Sequence, residues 1–278
     1  MNWLKNTKLG LIPIKQINKK LQNIFYFEIT LVLLVDAQNA SKFDFSNKTV
    51  LVTGGTGALG RSITTAFVAS NAKVISSYIL DTEVEQLRKE NDNISAAQLI
   101  KADVTKEEEV EKLVSSTISE HGQIHVLVNL VGGYLGGKSV SELDEKEWDL
   151  MMNMNLKSAF LISKHVIPQM VSLKYGKIMH VSSRTGLRSD GYDSAYAASK
   201  SGLIRLVESI SEELKMSNIN VNCIMPSVID TEANRRAMPT ADYSKWVKPH
   251  DLAKVVLFLC SDDAKVITGA AIPTYGLA

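Results

Sequence analysis

The chain has 278 residues, 45% of them hydrophobic, enough apolar material for one large core or two small ones. Lys plus Arg number 31 against 30 Asp plus Glu, a formal net charge of +1. No long-range field of one sign is present to gather polyanions, so nucleic acid is not an expected partner. The two cysteines, Cys223 and Cys260, sit in apolar runs and read as buried free thiols, and no Cys/His spacing points to a metal.

Residues 1–45 differ from the rest. A Lys- and Asn-rich start leads into an apolar run of about twelve residues that contains Glu28, shorter than the roughly twenty a bilayer-spanning helix needs. Three readings stay open: an idle or loosely docked extension, an attachment to membrane or partner, or a secretory signal ending near "VDA", which Glu28 opposes. Without a working signal the expected compartment is the cytoplasm.

From residue 46 onward, Val- and Ile-rich runs alternate with amphipathic stretches. The runs predict strands at 49–54, 73–78, 97–103, 125–132, 176–183, 219–226 and 269–274. Helices are expected at 60–71, 81–91, 106–121, 145–172, 194–217 and 250–261. Asp103, followed by Glu107, Glu108 and Glu109, looks like a cap with acids at a helix start. This alternation implies a single doubly wound α/β domain over 46–278, a mostly parallel seven-stranded Rossmann sheet with helices on both faces.

The first strand runs into "TGGTGALG", residues 53–60. In such a fold this turn opens onto a helix N-terminus, where backbone N–H groups approach a pyrophosphate only if side chains are absent. Gly54, Gly57 and Gly60, spaced three apart, are candidates for the tight turn, the close approach and the helix packing. Asp103, ending the third strand, is placed to accept from an adenine amino group as well as to cap.

In "YAASK", Tyr196 and Lys200 stand at i and i+4 on one helix face. A tyrosine with a reference pKa near 10 is a poor acid or base at neutral pH, and a neighbouring ammonium should lower it. Ser183 closes a strand where its hydroxyl could hold a carbonyl oxygen. Asn155 lies mid-helix, against its propensity, which points to a polar role such as a water link to Lys200. Each feature alone has an ordinary structural explanation; their order in one α/β domain carries the functional reading.

Residues 46–278 resemble the short-chain dehydrogenases/reductases. The resemblance rests on "TGGTGALG", "ADV" at 102–104, "NLVGG" at 129–133, Asn155, Ser183, "YAASK" and "PSVIDT" at 226–231. It implies an NAD(P)-dependent oxidoreductase moving hydride between nicotinamide and a carbonyl or alcohol carbon. Tyr196 would be the general acid/base, Lys200 its partner and a ribose ligand, Ser183 the carbonyl orienter and Asn155 the end of a proton relay. The cofactor site would comprise Gly54, Thr56, Gly57, Leu59, Gly60, Tyr78, Asp103, Val104, Asn129, Val131, Gly132, Tyr196, Lys200, Pro226, Val228, Ile229 and Thr231. The loop departs from the common TGxxxGxG spacing at Ala58, "NLVG" replaces NNAG, and Ser227 replaces a glycine. Neither an acid nor an arginine closes the second strand in "SSYIL", so NAD and NADP stay equal choices.

A narrower similarity, in "GGYLGG" (132–137) and residues 229–246, is to quinonoid dihydropteridine reductase of the same superfamily. It marks Asn234, Arg235, Met238 and Trp246, with Ser183 and Tyr196, as candidate substrate contacts. The pteridine enzyme lacks the serine, so a keto or hydroxy substrate is the leading expectation. The pteridine activity is the alternative, and a non-catalytic nucleotide-binding scaffold or sensor is the reading from a different class. The resemblance further implies a homodimer or homotetramer acting on a small molecule.

Overall fold

The computed structural model describes residues 43–277 apart from residue 91. The readings of residues 1–42 as extension, anchor or signal therefore lie outside the described residues. Phe45, at the end of that stretch, is buried and packs edge-on against Phe67.

Among the described residues seven strands form one sheet: β1 (Thr49–Thr53), β2 (Lys73–Tyr78), β3 (Gln98–Lys101), β4 (Val126–Asn129), β5 (Gly176–Val181), β6 (Ile219–Pro226) and β7 (Ala271–Thr274). Their order is β3-β2-β1-β4-β5-β6-β7 and every pairing is parallel. The longer helices are α1 (Ala58–Ala69), α2 (Asp81–Glu90), α3 (Glu107–His121), α4 (Glu145–Met151), α5 (Ser158–Leu173), α6 (Ser194–Leu214), α7 (Glu232–Ala237) and α8 (Pro249–Cys260).

Strand residues alternate between two cores, as the two-residue period of a strand requires. Leu51, Leu127, Ile178 and Val221 face one layer, with Val110 and Leu113 of α3, Ile162 and Val166 of α5, and Leu203 and Val207 of α6. Val50, Val52, Val126 and Met179 face the other, with Ile63 and Phe67 of α1 and Val256 of α8. Both faces are covered, which explains why these strands read as continuous apolar runs. Cys223 and Cys260 are free and buried in these layers.

The differences from expectation have local causes. β1 stops at Thr53 because Gly54 takes φ +65°. β3, β4 and β5 are shorter than their apolar runs, whose C-terminal ends turn off the ladder to line the sheet's C-terminal edge, and β7 starts later than expected, at Ala271. The helix expected over 145–172 is interrupted by a π-helical turn, Met152–Lys157, which places one extra residue in the winding. Asp103 does not cap α3, whose N-cap is Lys106 without a side-chain bond. Its Oδ1 instead accepts from the Thr105 amide at 3.0 Å and the Thr105 hydroxyl at 2.7 Å.

Candidate active site

The strand order reverses between β1 and β4, and a crevice opens at the C-terminal ends of these strands, where ligands of open α/β sheets bind. Beneath it, register places Thr53 opposite Asn129 and Asn129 opposite His180. The Thr53 hydroxyl donates to Asn129 Oδ1, Asn129 Nδ2 lies 3.4 Å from His180 Nδ1, and His180 Nε2 lies 3.2 Å from the Ser163 hydroxyl. Burial and the nearby Lys200 push His180 down to about 4, so it is neutral at physiological pH. Asn129, expected at the cofactor, is thus part of this buried cross-strand chain and does not line the cleft.

The glycine turn has the form a phosphate cradle needs. A Cβ on Gly60 would collide with the Gly55 backbone at 2.7 Å, so α1 could not pack on the turn. Gly55, not singled out by spacing, is as constrained: a Cβ there would meet the Thr64 hydroxyl at 2.6 Å. Gly57 meets only the Gly54 carbonyl, at 3.5 Å, and otherwise leaves the approach open. It is the N-cap of α1 and makes no side-chain cap bond, leaving that duty to backbone N–H groups. Ala58, the departure from the common spacing, is simply the first residue of α1.

Two adjoining cavities share Gly54, Gly57, Leu130 and Gly132. One, of about 300 Å³, is lined by Gly54, Gly57, Leu59, Gly60, Gly132, Ser183, Tyr196, Lys200, Pro226, Ile229 and Asn234 among the expected residues. The other, of about 730 Å³, takes in Thr56, Tyr78, Asp103 and Val131. Val104 is instead a core residue. The Val228 carbonyl accepts from Val247, and the Thr231 hydroxyl caps α7 by accepting from the Asn234 amide at 3.2 Å. Met238, partly exposed at the end of α7, and Trp246, buried against Tyr243, also stay off the cleft. Trp246 is there to pack the segment, because a large ring at the start of the chain's return to α8 gains more from burial than from exposure. Arg235 turns to Asp230, donating from Nε at 2.6 Å and Nη2 at 2.8 Å.

At the inner end, Ser183, Tyr196 and Lys200 come together. Ser183 follows β5 and accepts from the Thr185 amide at 3.2 Å, which orients its hydroxyl. Tyr196 is held above its ordinary pKa by burial, opposed by a hydrogen bond from Ser183. Lys200 Nζ donates to the Val181 carbonyl at 2.8 Å and lies 5.9 Å from the centre of the Tyr196 ring. Its own pKa is pushed down to about 8 because burial strips its water. The expectation that Lys200 lowers the Tyr196 pKa is therefore not met: burial of the phenol is the largest influence and raises it.

Asn155 is fully buried in the π turn. Its Oδ1 accepts from the Gly133 amide at 2.9 Å, and its Nδ2 donates to the Gly133 carbonyl at 3.1 Å and the Ser199 hydroxyl at 3.0 Å. These direct bonds are its observed contacts. A Cβ on Gly132 would lie 2.8 Å from Asn155 Oδ1 and 3.1 Å from Lys200 Nζ, so this glycine lets both side chains reach the cleft wall. Sequence reasoning missed Ser199, hidden inside "YAASK", and Tyr134, whose ring meets that of Tyr196 edge-on at 4.9 Å. The aromatic in "GGYLGG" was the available signal for Tyr134.

A glycine-cradled cleft at the switch point, ending on paired hydroxyls and a buried lysine, defines a dinucleotide-dependent oxidoreductase class. The short chain dehydrogenase profile matches residues 48–242. The chain is 31% identical to the 3-oxoacyl-(acyl-carrier-protein) reductase FabG of Thermotoga maritima over 81% of its length and 95% of that protein's. It is 30% identical to the 7alpha-hydroxysteroid dehydrogenase of Bacteroides fragilis over 84% of its length and 94% of that protein's. A short-chain type dehydrogenase/reductase from Mycobacterium ulcerans superimposes with a TM-score of 0.79 at 25% identity, over 84% of this chain and 90% of that one. The protein belongs to the short-chain dehydrogenase/reductase family and is an NAD(P)-dependent oxidoreductase acting by hydride transfer on a small molecule. Among the described residues no helix is long and apolar enough to cross a membrane.

Proposed function

We propose that the protein is a carbonyl reductase or alcohol dehydrogenase in which Tyr196 exchanges a proton with the substrate oxygen. The observation that carries this reading is the convergence of Ser183, Tyr196 and buried Lys200 on the inner cleft wall. When bound, the nicotinamide supplies hydride to the carbonyl carbon or takes it back. Tyr196 carries its proton at neutral pH as an ordinary tyrosine does, and burial only raises its pKa further, so its hydroxyl is set to give a proton to a carbonyl oxygen. Ser183 holds that oxygen from a second side. Lys200 presents a cation at the same wall, and Asn155 acts through Gly133 and Ser199 as a positioning residue.

The residues present fit the cofactor. Gly54, Thr56, Gly57, Leu59 and Gly60 would hold the phosphates. Tyr78, Asp103 and Val131 would hold the adenosine side, and Gly132, Pro226 and Ile229 the nicotinamide side. Asn234 remains the lid's candidate substrate contact, since it reaches the cleft. The names of two relatives, an oxoacyl reductase and a hydroxysteroid dehydrogenase, support chemistry at a carbon that carries oxygen. We also assign a homodimer or homotetramer, because Trp148 and Leu150 of α4 and Phe160 and Val171 of α5 stand exposed. Light scattering in solution tests that assignment.

The activity is tested by NADH and NADPH oxidation over a panel of ketones, a 3-oxoacyl thioester, an oxosteroid and quinonoid dihydropterin. Turnover of a ketone that Tyr196→Phe abolishes while nucleotide binding persists is the expected result. Turnover of dihydropterin alone would favour the pteridine alternative, and nucleotide binding without any turnover would favour the scaffold.

A further inference from the structure

We propose that Glu83 makes this site select NAD over NADP, an inference that rests on the cofactor reading above. In a doubly wound sheet the adenosine ribose lies beyond the end of β2, and the charge met there sets the choice. β2 ends at Tyr78, which is neither acid nor cation. The charged side chains lining the cavity beyond it, among the described residues, are Glu83, Asp103 and Lys157. Glu83 comes from the first turn of α2, and its Oε2 accepts from the Thr56 hydroxyl at 2.7 Å.

That bond joins residues 27 apart and draws the carboxylate from α2 to the phosphate loop, between the ends of β1 and β2. A helix start favours acids without any ligand, but such an acid has no need of a tertiary hydroxyl. Exposed Asp81 of the same turn shows the plain version, paired with Lys101 at 2.6 Å on the surface. Asp103 is engaged with Thr105, and Lys106 lies 3.4 Å from it. Lys157 enters from the turn before α5, not from the β2 end. Arg61 contacts the Thr56 carbonyl at 3.4 Å and lines a separate groove along α8. The carboxylate thus offers acceptors to the ribose hydroxyls and repels a 2′-phosphate.

The test is calorimetric titration of the full chain with NADH, NADPH, 5′-ADP and 2′,5′-ADP, alongside the variants Glu83→Gln, Thr56→Val and Asp81→Asn. Wild type should bind NADH at least about tenfold tighter than NADPH, a difference of roughly 1.4 kcal/mol. Glu83→Gln should narrow the gap by tightening NADPH, with the same trend in the two ADP probes, and Thr56→Val should narrow it by releasing the carboxylate. Asp81→Asn should leave the ratio where it was. Equal or tighter NADPH binding by wild type, or an unchanged ratio in Glu83→Gln and Thr56→Val, overturns the proposal alone. Failure of both dinucleotides to bind overturns the cofactor reading along with it.

Discussion

The inner wall of the cleft and the segment that follows β6 contribute to the same site by opposite means. On the wall, Asn155, Ser183 and Lys200 are nearly inaccessible, and each spends its polar atoms on backbone or neighbouring hydroxyls. They stand on a strand end and two long helices, so their geometry is set before any ligand arrives. The segment 227–248 carries the six-residue α7 and a 3₁₀ turn at Tyr243–Lys245, and is tied by Asp230 to Arg235 and Lys248, with the Tyr243 ring against Arg235. Arg235 and Lys248 are substantially exposed, whereas the Asp230 carboxylate they share is buried and held by Arg235 through two nitrogens. The wall is therefore held by several separate buried bonds, whereas the segment depends on one buried carboxylate shared by two cations.

The contrast breaks first at Tyr196. Replacing it with Phe should cut kcat by roughly 10²–10⁴-fold, with the thermal midpoint almost unmoved; a kcat near wild type would remove the wall from the chemistry. Gly60→Ala should cost about 3 kcal/mol in denaturant titration, because the added Cβ meets rigid backbone and α1 must shift.

A pH experiment sharpens the same side. Lys200 falls from 10.5 to about 8 on folding. Between those values the unfolded chain binds the extra proton, so the Lys200 contribution to the unfolding free energy rises with pH across the window, by about 3 kcal/mol in all. Tyr196, held above 10 by burial, works the other way only once the unfolded tyrosine ionises. Cys223 and Cys260, pushed by burial from 9.0 up to about 12, oppose the Lys200 rise across the same window, so the Lys200 contribution is read as the difference between wild type and Lys200→Met between pH 8 and 9.5. The smallest effect on turnover is expected in the segment after β6: Arg235→Ala should raise KM roughly threefold with kcat little changed, since Lys248 still pairs with Asp230. A large loss of stability there would mean that the segment is part of the core.

Local pattern was enough to place every strand of this sheet, because Val- and Ile-rich runs buried on both faces leave the same signature wherever they occur. β2 and β6 match their expected ends to the residue. Gly54 and Gly60, and the Tyr196–Lys200 pair at helical spacing, were likewise legible, since turn geometry and helix periodicity act over a few residues. Other features were not. The π turn at Asn155 depends on the fit of α4–α5 to α6, and Trp246 became packing only when Tyr243 folded against it. The pKa of Tyr196 was misjudged because burial is a property of the assembled cleft. Asp103, Glu83 and Thr56 show the same division most plainly. Residues 27 apart share a hydrogen bond only because parallel register brings the ends of β1 and β2 side by side. Sequence by itself determined the elements and the Tyr196–Lys200 spacing, which are short-range. Tertiary structure decided which polar atoms meet, because that depends on how distant segments are packed.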